Sequence, residues 1–312
     1  MAPTPEELHA AAEALKAGAL VAFPTETVYG LGAHALHTKA VAQIFEAKGR
    51  PHFDPLIVHI ADAGQLEQIA LDPSGRAQQL AEAFWPGPLT LVLPKRPCVP
   101  DLVTAGHASV AVRVPAHPVA QSLLRMADIP VAAPSANRFG GVSPTRAEHV
   151  RGQLNVDIVL DGGPCGVGVE STIISLLDTQ PTLLRAGGLA LEAIQDIVGP
   201  VHIPAERQLV TLSPGRQTRH YATGVPLTLT SAPKPTGPRC GLLTLGPADS
   251  PQIWAQVEVL SQTSDLTEAA ANLFAAMRRL DAAGLDQIFA TPVPEVGLGR
   301  AIMDRLRRAQ TR

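Results

Sequence analysis

The residues with the most chemical character fall in one stretch, Phe23 to Ile60, which reads FPTETVYGLGAHALHTKAVAQIFEAKGRPHFDPLIVHI. A turn at Pro24 presents Thr25, Glu26 and Thr27, and Tyr29 is followed by Gly30 and Gly32. Lys48 and Arg50 flank Gly49 ahead of Pro51, and His59 stands in an apolar run. A core needs the apolar residues of this stretch but not its hydroxyls, glycines and paired cations. A Lys point charge beside an Arg fork suits a triphosphate. The same pair at a helix end could instead complement the helix dipole in solvent. Thr25 could cap a turn, and His59 in an apolar strand is more often a satisfied core histidine than a ligand group. The two glycines match a dinucleotide fingerprint only superficially, because Ala35 stands where its third glycine would be. Taken together, the stretch reads as a site for a small, polar, anionic ligand.

Other residues extend that chemistry. Arg113 lies in the alternating run SVAVRVP. A buried, unpaired guanidinium is costly, so Arg113 must face a carboxylate, of the protein or of a ligand. Ser135, Asn137 and Ser143 follow a short strand, where they could close turns or hold phosphate and ribose. Arg185 precedes Ala-Gly-Gly and suggests an anionic partner. Gly168 to Thr172, GVEST, is not a serine hydrolase elbow, since Ser171 has no glycine two residues before or after it. Glu26, Asp54 and Glu170 could meet magnesium or an amine, and spacing singles out none of them. Several cations, several hydroxyls and few general bases fit transfer at phosphorus, where positioning and charge neutralisation do most of the work.

The elements that must position these groups alternate. Helices are expected at 5–17, 38–47, 62–70, 74–84, 117–126, 146–151 and 189–198. Strands are expected at 19–23, 56–60, 89–93, 109–114, 131–133, 157–160, 172–177 and 182–185. Trp85-Pro86-Gly87-Pro88 is a rigid turn. The alternation argues for an α/β fold with both sheet faces at least partly covered. From Pro200 to Ala222 the periodicity fades. A structureless segment of that length is expected to be functional, and its Arg216, Arg219, His220 and Tyr221 suggest that it lies over the site. A second, smaller α/β unit begins near 225, with strands at 226–230, 241–245 and 286–290. Asp265 and Glu268 form a capping-box pattern ahead of a helix with Leu266, Ala270, Leu273, Phe274, Met277 and Leu280 on one face. A closing helix is expected at 299–308.

The 312 residues allow one large domain or two ordinary ones, and 46% hydrophobic residues allow a sizeable core. No apolar run approaches the roughly 20 residues of a membrane span, and MAPTPEEL does not start a secretory signal. The net charge of -3 argues against a surface coated for nucleic acid. Cys98, Cys165 and Cys240 give neither a metal pattern nor a disulfide framework, so a reducing cytoplasm is the simplest compartment.

These motifs carry a resemblance. FPTETVYGLG, AKGRP, FWPGPLTLVL, VAVRVPAHP, APSAN, SPT, DGG with GVESTI, and LLRAGG closely resemble the threonylcarbamoyl-AMP synthases of the YrdC-like family, in that family's order. The tail, from SPGRQTRHYA to GLGRAIMDRLRRA, resembles its longer, two-domain members. The resemblance implies a YrdC-like twisted mixed sheet with helices over residues 1–200. It further implies a linker over the active site at 201–223 and a smaller, Rossmann-like C-terminal domain at 224–312.

The implied reaction joins L-threonine, bicarbonate and ATP, with Mg2+ carried on the ATP and no tightly bound cofactor, to give L-threonylcarbamoyl-AMP and pyrophosphate. A separate transferase complex would use the product to modify tRNA. The same resemblance assigns Thr25, His59, Arg113, Ala133 and Ser171 to L-threonine, with Arg113 on its carboxylate. It assigns Lys48 and Arg50 to the triphosphate. Ser109, Ser135, Asn137, Ser143 and Arg185, with His220 and Tyr221 of the linker, fall to the ATP side. The family's linker commonly continues with proline where Thr223 stands here. The acidic balance argues against direct tRNA binding. Two competing expectations are a module reading double-stranded RNA by shape, which low aromatic content disfavours, and a carbamoyl-phosphate-using enzyme, whose paired C-x-x-C is missing.

Overall fold

A computed structural model describes residues 2–205 and 221–310. The first sheet is built from β1 (Val21–Pro24), β2 (Tyr29–His34), β3 (Ile57–His59), β4 (Leu89–Pro94), β5 (Ser109–Arg113), β6 (Val131–Ala132), β7 (Ile158–Val159), β8 (Thr172–Ser175) and β9 (Thr182–Arg185). Among the described residues it is a nine-stranded mixed sheet in the order β7-β1-β2-β6-β3-β5-β4-β8-β9. Helices α1 (Pro5–Lys16), α2 (Thr38–Lys48), α3 (Arg76–Phe84), α4 (Asp101–Thr104), α5 (Pro118–Ala127), α6 (Ala147–Arg151) and α7 (Leu191–Val198) accompany it.

The second sheet has β10 (Leu227–Leu229), β11 (Cys240–Thr244), β12 (Gln256–Val259) and β13 (Gln287–Ala290), ordered β10-β13-β11-β12, with every pairing parallel. Helices α8 (Leu266–Asp281) and α9 (Gly299–Gln310) pack with it. Asp265 caps α8 by accepting from the Glu268 amide at 2.7 Å, as its sequence pattern anticipates. The mixed α/β class is therefore as expected. No helix among the described residues is long and apolar enough to cross a membrane. Cys98, Cys165 and Cys240 are free thiols.

Local physics explains where the strands and helices differ from expectation. Tyr29 to Gly32, to which the sequence reading assigned no strand, is the start of β2. A Cβ on Gly32 would lie 2.7 Å from a Phe23 ring carbon and 2.9 Å from Val131 Cγ1. The glycine lets the neighbouring strands close over that ring. The segment expected as a helix over 62–70 is a 3₁₀ turn at Ala63–Gln68. α4 and β12 were not anticipated. α4 has only four residues, too few to show a helical period, and β12 (QVEV) is half-buried throughout.

Helix α2 places the first cation. Its buried residues are Ala40, Val41, Ile44, Phe45 and Lys48, a spacing that lays Lys48 on the apolar stripe. Gly49 then ends the helix in the left-handed region at φ 61°. Lys48 and Arg50 are 3% and 7% exposed, which overturns the solvated-helix-end alternative.

Candidate active site

Side chains two apart on a strand share a face, and this rule builds the site. Ile57 and His59 on β3 stand beside Ala111 and Arg113 on β5, with His59 paired to Arg113 in the register. They form one wall of a cleft. Thr25, Thr27 and Gly30 close one side, Ala133 and Ser135 another, and Glu170, Ser171 and Arg185 a third, and Arg50 also lines it.

Arg113 is the centre of this cleft. The carboxylate it faces belongs to Glu26, whose Oε1 accepts from Arg113 Nη2 at 2.6 Å. Arg113 also donates to Thr27 Oγ1 at 2.9 Å and to the Gly87 carbonyl at 3.1 Å. The Trp85–Pro88 turn thus serves to aim a carbonyl at the guanidinium. Glu26 Oε2 accepts from the Ala116 amide at 2.9 Å. Among the described residues these contacts engage three of the five N–H groups of Arg113. The others are available to a ligand carboxylate. Thr25 ties the turn together: its Oγ1 donates to the Val28 carbonyl at 2.6 Å and accepts from the Thr27 and Val28 amides at 3.3 and 3.2 Å.

His59 is 3% exposed, and its Nδ1 has no hydrogen-bond partner among the described residues although it lines the cleft. Burial, and then the Arg113 charge, push it down to about 3. It is therefore a neutral imidazole that lines the cleft and has one buried polar atom unused. In the unfolded chain histidine titrates near ~6.5. As pH falls below that value the unfolded chain takes up a proton that folded His59 refuses until about pH 3. Its contribution to stability is thus complete above the unfolded value and lost as pH falls from ~6.5 toward 3. His149, pushed down to about 4 by burial and Arg278, acts in the same direction. Urea unfolding followed from pH 7 to pH 4 is expected to lose on the order of a few kcal/mol, and His59→Asn should flatten that slope. An unchanged slope in the variant would show that His59 is not the group responsible.

Lys48 reaches across to the loop after β6. Its Nζ donates to the Ser135 carbonyl at 2.5 Å and to the Asn137 carbonyl, so it clamps the Pro134–Asn137 segment. Burial, and secondarily Arg50, hold its pKa well below the usual lysine value. Arg50 donates to the Asp54 and Pro55 carbonyls at 3.2 and 2.8 Å and pairs with the Asp54 carboxylate at 3.0 Å. Asn137 uses its amide nitrogen on the Arg138 and Gly141 carbonyls, at 2.7 and 3.0 Å. Its buried Oδ1 has no partner among the described residues.

Ser171 stands just before β8. Its Oγ lies 2.7 Å from Thr90 Oγ1, and Arg185, the last residue of β9, donates to its carbonyl at 3.1 Å and to its hydroxyl at 3.2 Å. This closeness requires Gly187, where a Cβ would fall 2.3 Å from both the Glu170 carbonyl oxygen and Ser171 C. Ser143 is fully buried and donates to Glu170 Oε1 at 2.6 Å, so it supports the cleft from beneath.

The structure therefore gathers Thr25, Arg50, His59, Arg113, Ala133, Ser135, Ser171 and Arg185 on one cleft, with Lys48, Asn137 and Ser143 directly behind it. Ser109 shares the face of Arg113 but stands four strand positions away, about 13 Å. Tyr221 is fully buried between Phe274, 5.4 Å away, and Arg305, whose guanidinium carbon is 5.4 Å from the ring centroid. It packs at the junction of the two sheets and does not line the cleft. His220 lies outside the described residues. The sequence noted Thr27 only as part of the polar turn and gave no role to Gly87, Thr90 or Arg305. Gly87 and Thr90 stand inside one motif, where they read as a turn glycine and an ordinary strand residue, and Arg305 reads as one of several arginines on its helix.

The cleft can be set against known proteins. A family model described as telomere recombination matches residues 13–187, and one described as threonylcarbamoyl-AMP synthase, C-terminal domain, matches residues 189–311. The chain is similar to the threonylcarbamoyl-AMP synthase of Pyrococcus abyssi, 44% identical over 324 residues, covering 97% of this chain and 94% of that protein. It is likewise similar to that of Bacillus subtilis, 43% identical over 319 residues, covering 96% and 91%. A crystal structure of P. abyssi Sua5 complexed with L-threonine matches with a TM-score of 0.90 and 44% identity, covering 97% of this chain and 94% of that one. The crystal structure of E. coli YciO, at 23% identity and a TM-score of 0.53 over 59% of this chain and 91% of its own, shares the fold of the first sheet. With two adjoining family models and full-length relatives above 40% identity, the chain belongs to the threonylcarbamoyl-AMP synthases, enzymes of the nucleotidyltransferase type, in their longer, two-domain form.

Proposed function

We propose that this enzyme condenses L-threonine, bicarbonate and ATP into L-threonylcarbamoyl-AMP and pyrophosphate, and that a separate transferase complex uses the product to form threonylcarbamoyladenosine in tRNA. The observation that carries this reading is the gathering of Arg50, Arg113 and Arg185 with neutral His59 and the Thr25 and Ser171 hydroxyls in one cleft. A relative of 44% identity whose crystal structure is described as complexed with L-threonine supports it.

In this reading Arg113, preset by Glu26 and Thr27, takes the threonine carboxylate with its remaining donors. His59, Thr25, Ser171 and the Ala133 backbone fix the amine and hydroxyl end. The threonine nitrogen attacks the bicarbonate carbon, and water leaves as the carbamate forms. A carbamate oxygen then attacks the α-phosphorus of ATP, and the bond to the bridging oxygen breaks to release pyrophosphate. The chain contributes position and positive charge at each step. Lys48, Arg50 and Arg185, with Ser109, Ser135, Asn137, Ser143 and the linker's His220 and Tyr221, serve the ATP.

Mg2+ enters as part of the ATP substrate, held by the phosphates. The three carboxylates that the sequence offered for magnesium fit that route, because each is paired with an arginine: Glu26 with Arg113 at 2.6 Å, Asp54 with Arg50 at 3.0 Å and Glu170 with Arg305 at 2.9 Å. Residues 1–200 act as the catalytic domain, 201–223 as the segment over the site and 224–312 as the smaller domain.

Pyrophosphate release tests the reading. Leaving out L-threonine, bicarbonate or ATP in turn is expected to lower the rate by at least about tenfold each time. Release that continued at full rate without L-threonine would overturn it.

A further inference from the structure

We propose that Arg305 of α9, in the second α/β unit, is a positioning residue for the cleft in the first. Its side chain is fully buried. The other arginines of α9 are not: Arg300 pairs with Glu192, Arg307 with Glu295 and Arg308 with Asp304, all with some exposure. A contact that merely glued two domains could stay at the surface, whereas a buried guanidinium is costly unless fully paired.

Arg305 is fully paired, and its partners adjoin the cleft. Its Nε and Nη2 donate to Glu170 Oε2 at 3.1 and 2.9 Å, and its Nη1 donates to the Ala186 carbonyl at 2.5 Å and to Asp304 Oδ2 at 3.1 Å. Glu170 immediately precedes Ser171, and Ala186 immediately follows Arg185. One guanidinium therefore holds a chain neighbour of each of two cleft residues that bond to one another. Ser143 takes the other Glu170 oxygen at 2.6 Å, so both carboxylate oxygens are fixed. The Tyr221 ring lies 5.4 Å from the guanidinium carbon and ties the end of the linker to the same point. Arg185 in turn senses the charges of Glu170 and Arg305. Without Arg305, Glu170 Oε2 loses two guanidinium donors and the Ala186 carbonyl loses a third, so the carboxylate re-aims and Ser171 and Arg185 leave their register. The second unit thus completes the site it does not line.

This proposal rests on the functional reading above, which gives Ser171 to L-threonine and Arg185 to ATP. The test uses the full chain and measures KM for L-threonine and ATP, equilibrium binding of each, and the thermal midpoint. Arg305→Met is expected to raise both KM values by roughly tenfold or more and to lower the midpoint. Arg305→Lys, which keeps the charge and loses the fork, should stay folded and raise both KM values severalfold. Adding Glu170→Gln to Arg305→Met removes the carboxylate charge that Arg305 balanced and should restore much of the midpoint but not the KM values. Arg300→Ala, which breaks another pair between the units, should leave both KM values unchanged. Wild-type KM values in folded Arg305→Lys and Arg305→Met, or a double variant that regains them together with its midpoint, would make the role structural and overturn the proposal. A wild-type chain that bound neither L-threonine nor ATP would overturn the functional reading itself, and this proposal with it.

Discussion

Arg113→Ala is expected to lower kcat/KM for L-threonine by at least about two orders of magnitude while ATP binding changes by no more than about twofold. Arg113 is 3% exposed, faces the cleft and keeps donors beyond those engaged by Glu26, Thr27 and Gly87. Losing a buried partner of a charge pair typically costs about 3–5 kcal/mol, much of it from the charge left behind. Here that charge is Glu26, so the variant should also be less stable. Pairing it with Glu26→Gln separates the effects: the double variant should recover stability without recovering threonine use. Arg113→Lys should fall between, since an ammonium supplies charge without the planar fork. Threonine kinetics that survived in folded Arg113→Ala would remove this residue from the carboxylate site.

The second large effect should have the opposite signature. Lys48→Met is expected to raise KM for ATP by about tenfold to a hundredfold and to leave L-threonine affinity nearly unchanged. The lysine sits behind the loop that carries Ser135 and Asn137, holding two of its carbonyls. Methionine retains most of the buried volume but removes the charge and both hydrogen bonds. Neutral or deprotonated lysine could not replace it equally, and the depressed lysine pKa, caused first by burial, makes the site more sensitive than an exposed one to rising pH. Parallel titrations of ATP and L-threonine would separate this outcome from general unfolding, which weakens both.

Much of this site was legible in the sequence because its chemistry conflicts with its surroundings. Arg113 interrupts an alternating apolar strand, and a guanidinium there demands a carboxylate. The sequence could not say whose, because Glu26 lies 87 residues away and only the sheet brings them to 2.6 Å. Lys48 was ambiguous by type, since a lysine at a helix end is usually solvated. Its spacing from Val41, Ile44 and Phe45 resolves the ambiguity once the buried face is known. Gly32 was ambiguous by type as well, because a strand that must admit an aromatic ring and a nucleotide loop both call for glycine. Arg305 was invisible. It has the same residue type and helix as three arginines that keep some exposure, and its partners lie 119 and 135 residues away across the junction of the two sheets. Local pattern reports what an element buries, but not which distant group that burial meets.

The most direct measurement is the mass of the nucleotide product formed from ATP, Mg2+, L-threonine and carbon-13 bicarbonate by the full chain. An AMP adduct carrying threonine and one labelled carbon is expected, absent when L-threonine or bicarbonate is left out and formed in step with pyrophosphate. An adduct of threonine and AMP without the labelled carbon, or ATP bound with no adduct at all, would contradict it.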